Sequence, residues 1–425
     1  MFALLRRRNV ALFWFGETVS LMGDYTLAVA LPFYVLQLTG SILQTGLMFL
    51  VETLPSIVFG ALAGVFVDRW NRRITMIICN LLQAGTLLLL LTVRSPHLIW
   101  VVYLVAILQA LFSVFFNPAA SAFVPALVDK KHLAQANALT SFGDSITRLT
   151  GLPLGGALLV SSGMSTIVLI DATSFLFSAL MLFLVSLPKR QEREKQEGAR
   201  SLLAQVKKVG NDSLDGLRKV RTNKVLTGLF FVAGVTFLGQ GFISVMFVVY
   251  VKTILHGNGF VFSLTAMSQG AGALLGSVLI APAQKVLRPA SLLALCQGVI
   301  GVATIVFLSL PGLVSVLLML TIIGVCVVGG VVTKQTLVQL HTLDSYRGRV
   351  FAASGMISSL ALLVGMGIAT LFGDRIGPVI FLDGAAFFYV LSGVVAFLML
   401  SQARNLVEPL SAEETGSSDC KPAQR

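Results

Sequence analysis

Apolar residues run in long stretches along this chain, cut at regular intervals by short clusters of charged residues, Pro and Gly. The stretches fall near 10–36, 43–67, 74–93, 98–121, 138–162 and 165–187, then near 225–251, 259–282, 290–309, 313–335, 350–373 and 377–400. Each is long enough to cross a hydrocarbon layer ~30 Å thick as a helix rising ~1.5 Å per residue. The pattern therefore predicts an all-α integral membrane protein with twelve transmembrane helices. One long polar interval, 188–224, separates six spans from six. It opens on the charge run Pro188-Lys189-Arg190-Gln191-Glu192-Arg193. Leu202, Val206, Val209, Leu214 and Leu217 then recur at helical intervals among Lys and Arg, which predicts short amphipathic helices on the membrane surface. The expected organisation is an N-terminal six-helix half (1–187), a basic linker (188–224), a C-terminal six-helix half (225–400) and a disordered tail (401–425).

The halves resemble each other. Ile170-Asp171-Ala172-Thr173-Ser174-Phe175 in span six matches Leu382-Asp383-Gly384-Ala385-Ala386-Phe387 in span twelve, with the acid after an apolar run and small residues behind it. Parallel repeats of this kind predict two pseudo-symmetric bundles rocking about a midplane site. Because they recur, Asp171 and Asp383 read as structural groups near the outer surface.

Composition supports a membrane protein. The chain has 425 residues, 56% of them hydrophobic and 12% charged, with a mean hydropathy of +0.88. That apolar content exceeds what a soluble domain can hide. A net charge of +12 would suggest nucleic acid in a soluble protein, but placement points elsewhere. With the N-terminus inside, 26 of the 31 Lys and Arg lie in cytoplasmic segments, and only Arg94, Lys252 and Arg375 lie outside. That asymmetry predicts both termini in the cytoplasm of a cell membrane, with the basic charge facing anionic lipid and no nucleic-acid partner. Cys79, Cys296, Cys326 and Cys420 have no metal-ligand or disulfide-framework spacing, and the four His are scattered, so neither metal nor cofactor is expected. A membrane-embedded enzyme would need a nucleophile or metal cluster, and the sequence offers none.

Ionisable residues within spans cost about 2.5–3.5 kcal/mol each to insert and should face a cavity or a partner. Glu17 and Asp24 lie seven residues apart on one face of span one, and Glu52 on span two reaches a similar depth to Asp24. Carboxylates gathered out of water repel one another, and a group so placed can load a proton on one side and release it on the other. Asp24 leads as proton carrier, with Glu17 and Glu52 as partners or cation-binding groups. Asp144 and Arg148 on span five stand at i, i+4 in the favoured order, either as a neutralised pair or as coupling groups. Lys334 is expected to snorkel to the interface. Gly151, Pro153, Gly155 and Gly156 interrupt span five, either for close packing or as a hinge. Between spans two and three, Gly64-Val65-Phe66-Val67-Asp68-Arg69-Trp70-Asn71-Arg72-Arg73 packs an acid and three arginines into a tight turn. Its arginines suit anionic headgroups or helix C-termini.

That ten-residue loop resembles the signature loop of the major facilitator superfamily. Phe13-Trp14-Phe15-Gly16-Glu17 through Gly23-Asp24, Leu133-Ala134-Gln135-Ala136-Asn137, Arg347-Gly348-Arg349-Val350-Phe351 and Gly373-Asp374-Arg375 narrow the match. They resemble the family's macrolide-efflux and siderophore-exporter branch. The resemblance covers nearly the whole chain. It implies the major facilitator fold in a bacterial plasma membrane, and a monomeric, proton-coupled exporter of small amphipathic substrates in contact with membrane lipids. The alternative it leaves open is a siderophore or lysophospholipid transporter. It assigns Gly64, Asp68, Arg69, Arg72 and Arg73 to a conformational-switch loop, with Asp68 reaching span eleven when the inside is closed. The sequence departs from the family at Gln109, where many drug/proton antiporters carry Arg in span four. It departs again at Gly151-Leu152-Pro153-Leu154-Gly155-Gly156, where the proline is displaced by one. No counterpart of the signature loop exists between spans eight and nine.

Overall fold

A computed structural model describes residues 1–186, 223–342 and 346–401. The predicted linker helices and tail lie outside the described residues. Twelve long helices are present among them: α1 (Arg8–Thr39), α2 (Ile42–Val67), α3 (Arg72–Leu87), α4 (Ile99–Leu127), α5 (Leu133–Ser161), α6 (Gly163–Leu184), α7 (Lys224–Thr253), α8 (Gly259–Val286), α9 (Pro289–Ser309), α10 (Leu313–Leu340), α11 (Arg347–Ile376) and α12 (Pro378–Ser401). Eleven are long and apolar enough to cross a membrane. The exception is α5, whose polar content (Asp144, Arg148 and a run of Ser, Thr and Gly) lowers its hydropathy. It packs against α1 in its own half and α8 in the other.

Local chemistry sets the breaks. α1 stops at Gly40, whose φ of +65° is a left-handed cap, with its N–H returning to the Leu36 carbonyl. Ser41 then caps α2 through the Gln44 N–H, so the turn needs only two residues. Asn71, Asn223 and Asn258 cap α3, α7 and α8 in the same manner. Gly377 (φ +87°) and Pro378 separate α11 from α12.

The packing repeats. In the first half α1 lies on α5 and α6, α2 on α4, and α3 on α4 and α6. In the second half α7 lies on α11 and α12, α8 on α10, and α9 on α10 and α12. Thus the internal likeness seen in sequence corresponds to two equivalent bundles. Their main contacts are the symmetric pair α2·α11 and α5·α8. Lipid is as apolar as Leu, so shape and small residues rather than hydrophobicity hold such bundles together.

Arg6–Arg8, Arg69, Arg72, Arg73, Lys130, Lys131, Lys285 and Arg288 collect at one end of the bundle, called the basic end here; Arg94, Lys252 and Arg375 lie at the far end. Contacts between halves run from mid-bundle to the far end. Asp374 at the end of α11 accepts from the N–H groups of Ile42 (3.1 Å) and Leu43 (3.3 Å) and from the Ser41 hydroxyl (3.5 Å), capping α2 across the interface. Lys252 Nζ donates to the Leu36 carbonyl at the end of α1, 2.8 Å away. Phe33 stacks on Phe262, and Ile42 meets Gly373. Toward the basic end, a Cβ added at Gly60, Gly64 or Gly355 would meet nothing within 4 Å. Among the described residues, the hydrogen bonds and ring contacts that join the halves lie from mid-bundle to the far end, and the far end is closed.

An N-terminal cap of this kind contributes ~1 kcal/mol, equivalent to roughly fivefold in a conformational equilibrium. Asp374→Ala is therefore expected to raise the population open at the far end about fivefold. Spin-label distances between Ser162 and His256, exposed at the far ends of α5 and α8, would report it; an unchanged distribution would remove Asp374 from the closure.

Candidate functional site

Two groups of side chains face the interface from opposite halves. In the first half, Gly23 brings α1 against α6; a Cβ there would fall on Asp171 and 2.6 Å from Ser174 Oγ. This close approach sets the next residue, Asp24, near enough for its charge to act on both Asp171 and Glu17. Asp171 is fully buried. One of its oxygens accepts from Ser174 Oγ at 3.3 Å and the other has no hydrogen-bond partner. Asp24 has no cation within 4 Å among the described residues. It shares a stripe of α1, at four-residue spacing, with Ala28 and Pro32, which line the cavity between the halves.

The structure partly redraws the carboxylate group read from sequence. Glu17 stands about two turns from Asp24 on α1, and close packing at Gly23 brings beside Asp24 a carboxylate of α6, Asp171, which the repeat had suggested was a structural group. Its repeat partner Asp383 is exposed instead. Glu52 is exposed on α2 and makes no hydrogen bond or ion pair among the described residues. The sequence argument compared depths along helices, whereas lateral packing, α1 on α6, decides which acids meet.

Asp144 and Arg148 do not form the expected ion pair. Asp144 accepts from the Tyr25 hydroxyl at 2.7 Å, which ties α5 to α1, and Arg148, one turn further along, lines the cavity. Lys334 does not snorkel either. It lines the same cavity, with its ammonium 5.4 Å from the centre of the Phe237 ring.

Apart from Lys334, the polar groups of the second half at this site are neutral. Tyr389 donates to Gln240 Oε1 (2.7 Å), Gln297 Nε2 donates to Thr236 Oγ1 (3.0 Å), and Thr236 and Ser392 share a hydrogen bond of 2.8 Å. Thr236, Gln240, Gln269, Gln297 and Tyr389 surround a cavity of about 410 Å³ that also meets Arg148 and Lys334. A second cavity of about 280 Å³ shares Gln240, Gln269 and Tyr389, extends toward the far end, and is lined by Phe49, Phe247, Phe262 and Phe307. Both volumes are on the scale of small-molecule sites. Sequence reading missed Gln240, Gln269, Gln297 and Tyr389. One signal was available: Gly239-Gln240 on α7 stands where Gly23-Asp24 stands on α1, and Gly239 packs on Ala385 and Phe388 of α12 as Gly23 packs on α6. Phe237 and Phe247 of α7 also line the cavities.

On span five the glycines serve packing. Gly151 faces Met22 and Tyr25 of α1, Gly155 faces the Thr26 backbone, and Gly156 faces Gly259 and Ser263 of α8 in the other half. Gln109 donates to Gln83 O and Thr86 Oγ1, joining α4 to α3 away from the cavity. In the loop between α2 and α3, Arg72 donates to the Ala122 carbonyl of α4 at 2.7 Å, and Arg73 to the carbonyls of Leu182 and Phe183 at the end of α6. These are helix C-termini within the same half, one of the two partners expected of the arginines. Asp68 is exposed at the basic end. Nearby, Arg7 hydrogen-bonds exposed Asp129 at 3.3 Å and holds its carboxyl below the usual range, first through that bond and then through charge. A lowered carboxyl keeps its stabilising contact above its unfolded value and loses it only as pH falls through the lowered one, so Asp129 does not exchange protons near neutrality.

The comparisons with known proteins agree with this geometry. The model of the Major Facilitator Superfamily matches residues 13–238. Macrolide efflux protein A of Streptococcus pyogenes is 27% identical over 86% of this chain and 89% of its own length. The multidrug efflux pump Tap of Mycolicibacterium fortuitum is 27% identical over 88% of this chain and 91% of its own. The enterobactin exporter EntS of Citrobacter koseri is 23% identical over 92% and 91%. Among solved structures, a bacterial homologue of the iron transporter ferroportin in its inward-facing state superposes with a TM-score of 0.75 at 16% identity, over 93% of this chain and 99% of that one. The chain belongs to the Major Facilitator Superfamily and is a multi-pass membrane transporter, not an enzyme.

Proposed function

We propose that this protein exports amphipathic, drug-like compounds by proton antiport with alternating access. The observation that carries the reading is Asp24, a carboxylate with no cation within 4 Å among the described residues, one turn of α1 from the cavity wall and beside a second buried carboxylate. Like charges in a low-dielectric site repel, and a proton held there relieves the repulsion. Substrate and proton then compete to stabilise opposite states of one rocking bundle. The excess of Lys and Arg at the basic end supports placing that end in the cytoplasm, and the bacterial relatives support a plasma-membrane location. On that orientation the cavity faces inward, ready to load from the cytoplasm. One charge crossing supplies about 2.3 kcal/mol per 100 mV, to which a pH difference adds.

The test is transport by the purified full chain in proteoliposomes with an imposed pH gradient, against a panel of drugs and a lysophospholipid. Gradient-dependent movement of the drugs supports the reading; movement indifferent to pH overturns the coupling. A second reading, lipid handling, draws on a lateral groove of about 630 Å³ between α3 and α4, lined by Arg69, Trp70, Ile78, Phe112 and Phe115. Preference for the lysophospholipid in the same panel would favour it.

A further inference from the structure

The cavity is a mixed chamber whose charge has one sign. Arg148 from the first half and Lys334 from the second both line its basic-end portion, and no carboxylate lines either portion. Asp144, the acid nearest to Arg148 in sequence, is turned to Tyr25, and neither cation has an acidic partner within 4 Å among the described residues. The neutral groups add donors. Gln240 spends its carbonyl oxygen on Tyr389, which leaves its amide N–H groups for the cavity, and Gln269 makes no hydrogen bond among the described residues. The far-end portion is apolar and aromatic, with Phe49, Phe247, Phe262 and Phe307 on its wall.

Two cations on the wall of one cavity each favour an anion in it, and one acidic group can serve both. Charge-assisted hydrogen bonds from guanidinium and ammonium are among the stronger polar contacts a site can make. A cationic ligand would meet repulsion, with no carboxylate on the wall to offset it. We infer that the chamber takes an amphipathic organic anion, its acidic head between Arg148 and Lys334 and its apolar body against the phenylalanines. Because the cations come from opposite halves, the head group also bridges the two bundles. The inference rests on the reading of this cavity as the substrate site and narrows its substrate class.

The experiment is equilibrium dialysis of the full chain in nanodiscs, without any proton gradient, using three probes on one skeleton: 2-naphthoate, neutral 2-naphthamide, and cationic (2-naphthylmethyl)trimethylammonium. The expected result is naphthoate bound at least tenfold more tightly than the cation. Arg148→Gln and Lys334→Gln should each weaken naphthoate binding fivefold or more, with naphthamide binding unchanged. Arg148→Lys should retain part of the preference, which separates loss of charge from loss of fold. Equal binding of anion and cation, no binding of any probe, or variants that keep the full preference would each overturn the inference. Anion-selective binding without pH-driven transport would overturn proton antiport alone, whereas pH-driven export of cations that ignores both substitutions would overturn this inference alone.

Discussion

Asp24→Asn is expected to lower proton-driven transport at least tenfold while the protein stays folded and monodisperse. The substitution keeps the shape of the side chain and its capacity to accept a hydrogen bond, and removes the charge and the exchangeable proton. The backbone at this point is set by Gly23 against Asp171 and Ser174, contacts that the change does not touch. Folding should therefore survive, and removing one of two neighbouring charges is expected to relieve repulsion rather than create it. Counterflow, the exchange of labelled for unlabelled substrate without a gradient, should persist because that partial cycle needs no net proton movement. The measurement is paired uptake in proteoliposomes, with and without the pH gradient. Full gradient-driven transport by Asp24→Asn would sink the assignment. If Asp171→Asn abolished it instead, the proton would belong to α6, since Asp171 is fully buried with one carboxylate oxygen lacking a partner.

The second large effect concerns closure. Gly156 of α5 lies against α8 of the other half so closely that a Cβ would reach the Gly259 carbonyl and the Ser263 hydroxyl, and come within 2.7 Å of Ser263 Cβ. All three atoms belong to groups with little room to swing aside: a backbone carbonyl and a short, fully buried side chain. Gly156→Leu adds four carbons there. Overpacking a close contact costs ~1–3 kcal/mol, which corresponds to about 5- to 150-fold in the balance between states. If α5 and α8 separate here when the far end opens, the cost falls on the closed conformation alone. The variant should rest open at the far end and transport poorly, since a cycle needs both states. Spin labels at Ser162 and His256, in a background with the native cysteines replaced, should move apart. Unchanged distances with normal transport would mean that the crossing yields elsewhere.

Some of this was legible before any coordinates. A bilayer requires every backbone polar group to be satisfied within a helix, so long apolar runs between Pro/Gly breaks translate directly into spans. Gly40-Ser41, Asn71, Asn258 and Gly377-Pro378 end and start helices through their own local chemistry. The acids of the first half were visible for a similar reason, because a charge inside an apolar run is costly wherever it points. The amides of the second half were not. Gln240, Gln269 and Gln297 are as compatible with helix-to-helix hydrogen bonds as with a cavity. Gln83 and Gln109, which tie α3 to α4, look the same in sequence.

The misplaced residues share a cause. Asp144 was assigned to Arg148 because both lie on one helix at a favourable spacing, yet Tyr25 on another helix supplies a shorter-range partner at 2.7 Å. Asp24 was matched with Glu52 by depth, yet the α1·α6 crossing brings Asp171. Lys334 was sent to the interface because nothing in the local sequence announces a water-accessible chamber beside it. By itself, the sequence determined the membrane class, the helices, the two-half repeat and the asymmetry of charge, all of which depend on short-range chemistry and on the cost of polar groups in lipid. Tertiary structure alone decided which charges share a chamber, which end of the bundle is shut, and that the cavity is lined by cations rather than acids. Those outcomes depend on the rotation and close approach of helices distant in the chain, which small residues such as Gly23 and Gly156 permit and no local pattern records.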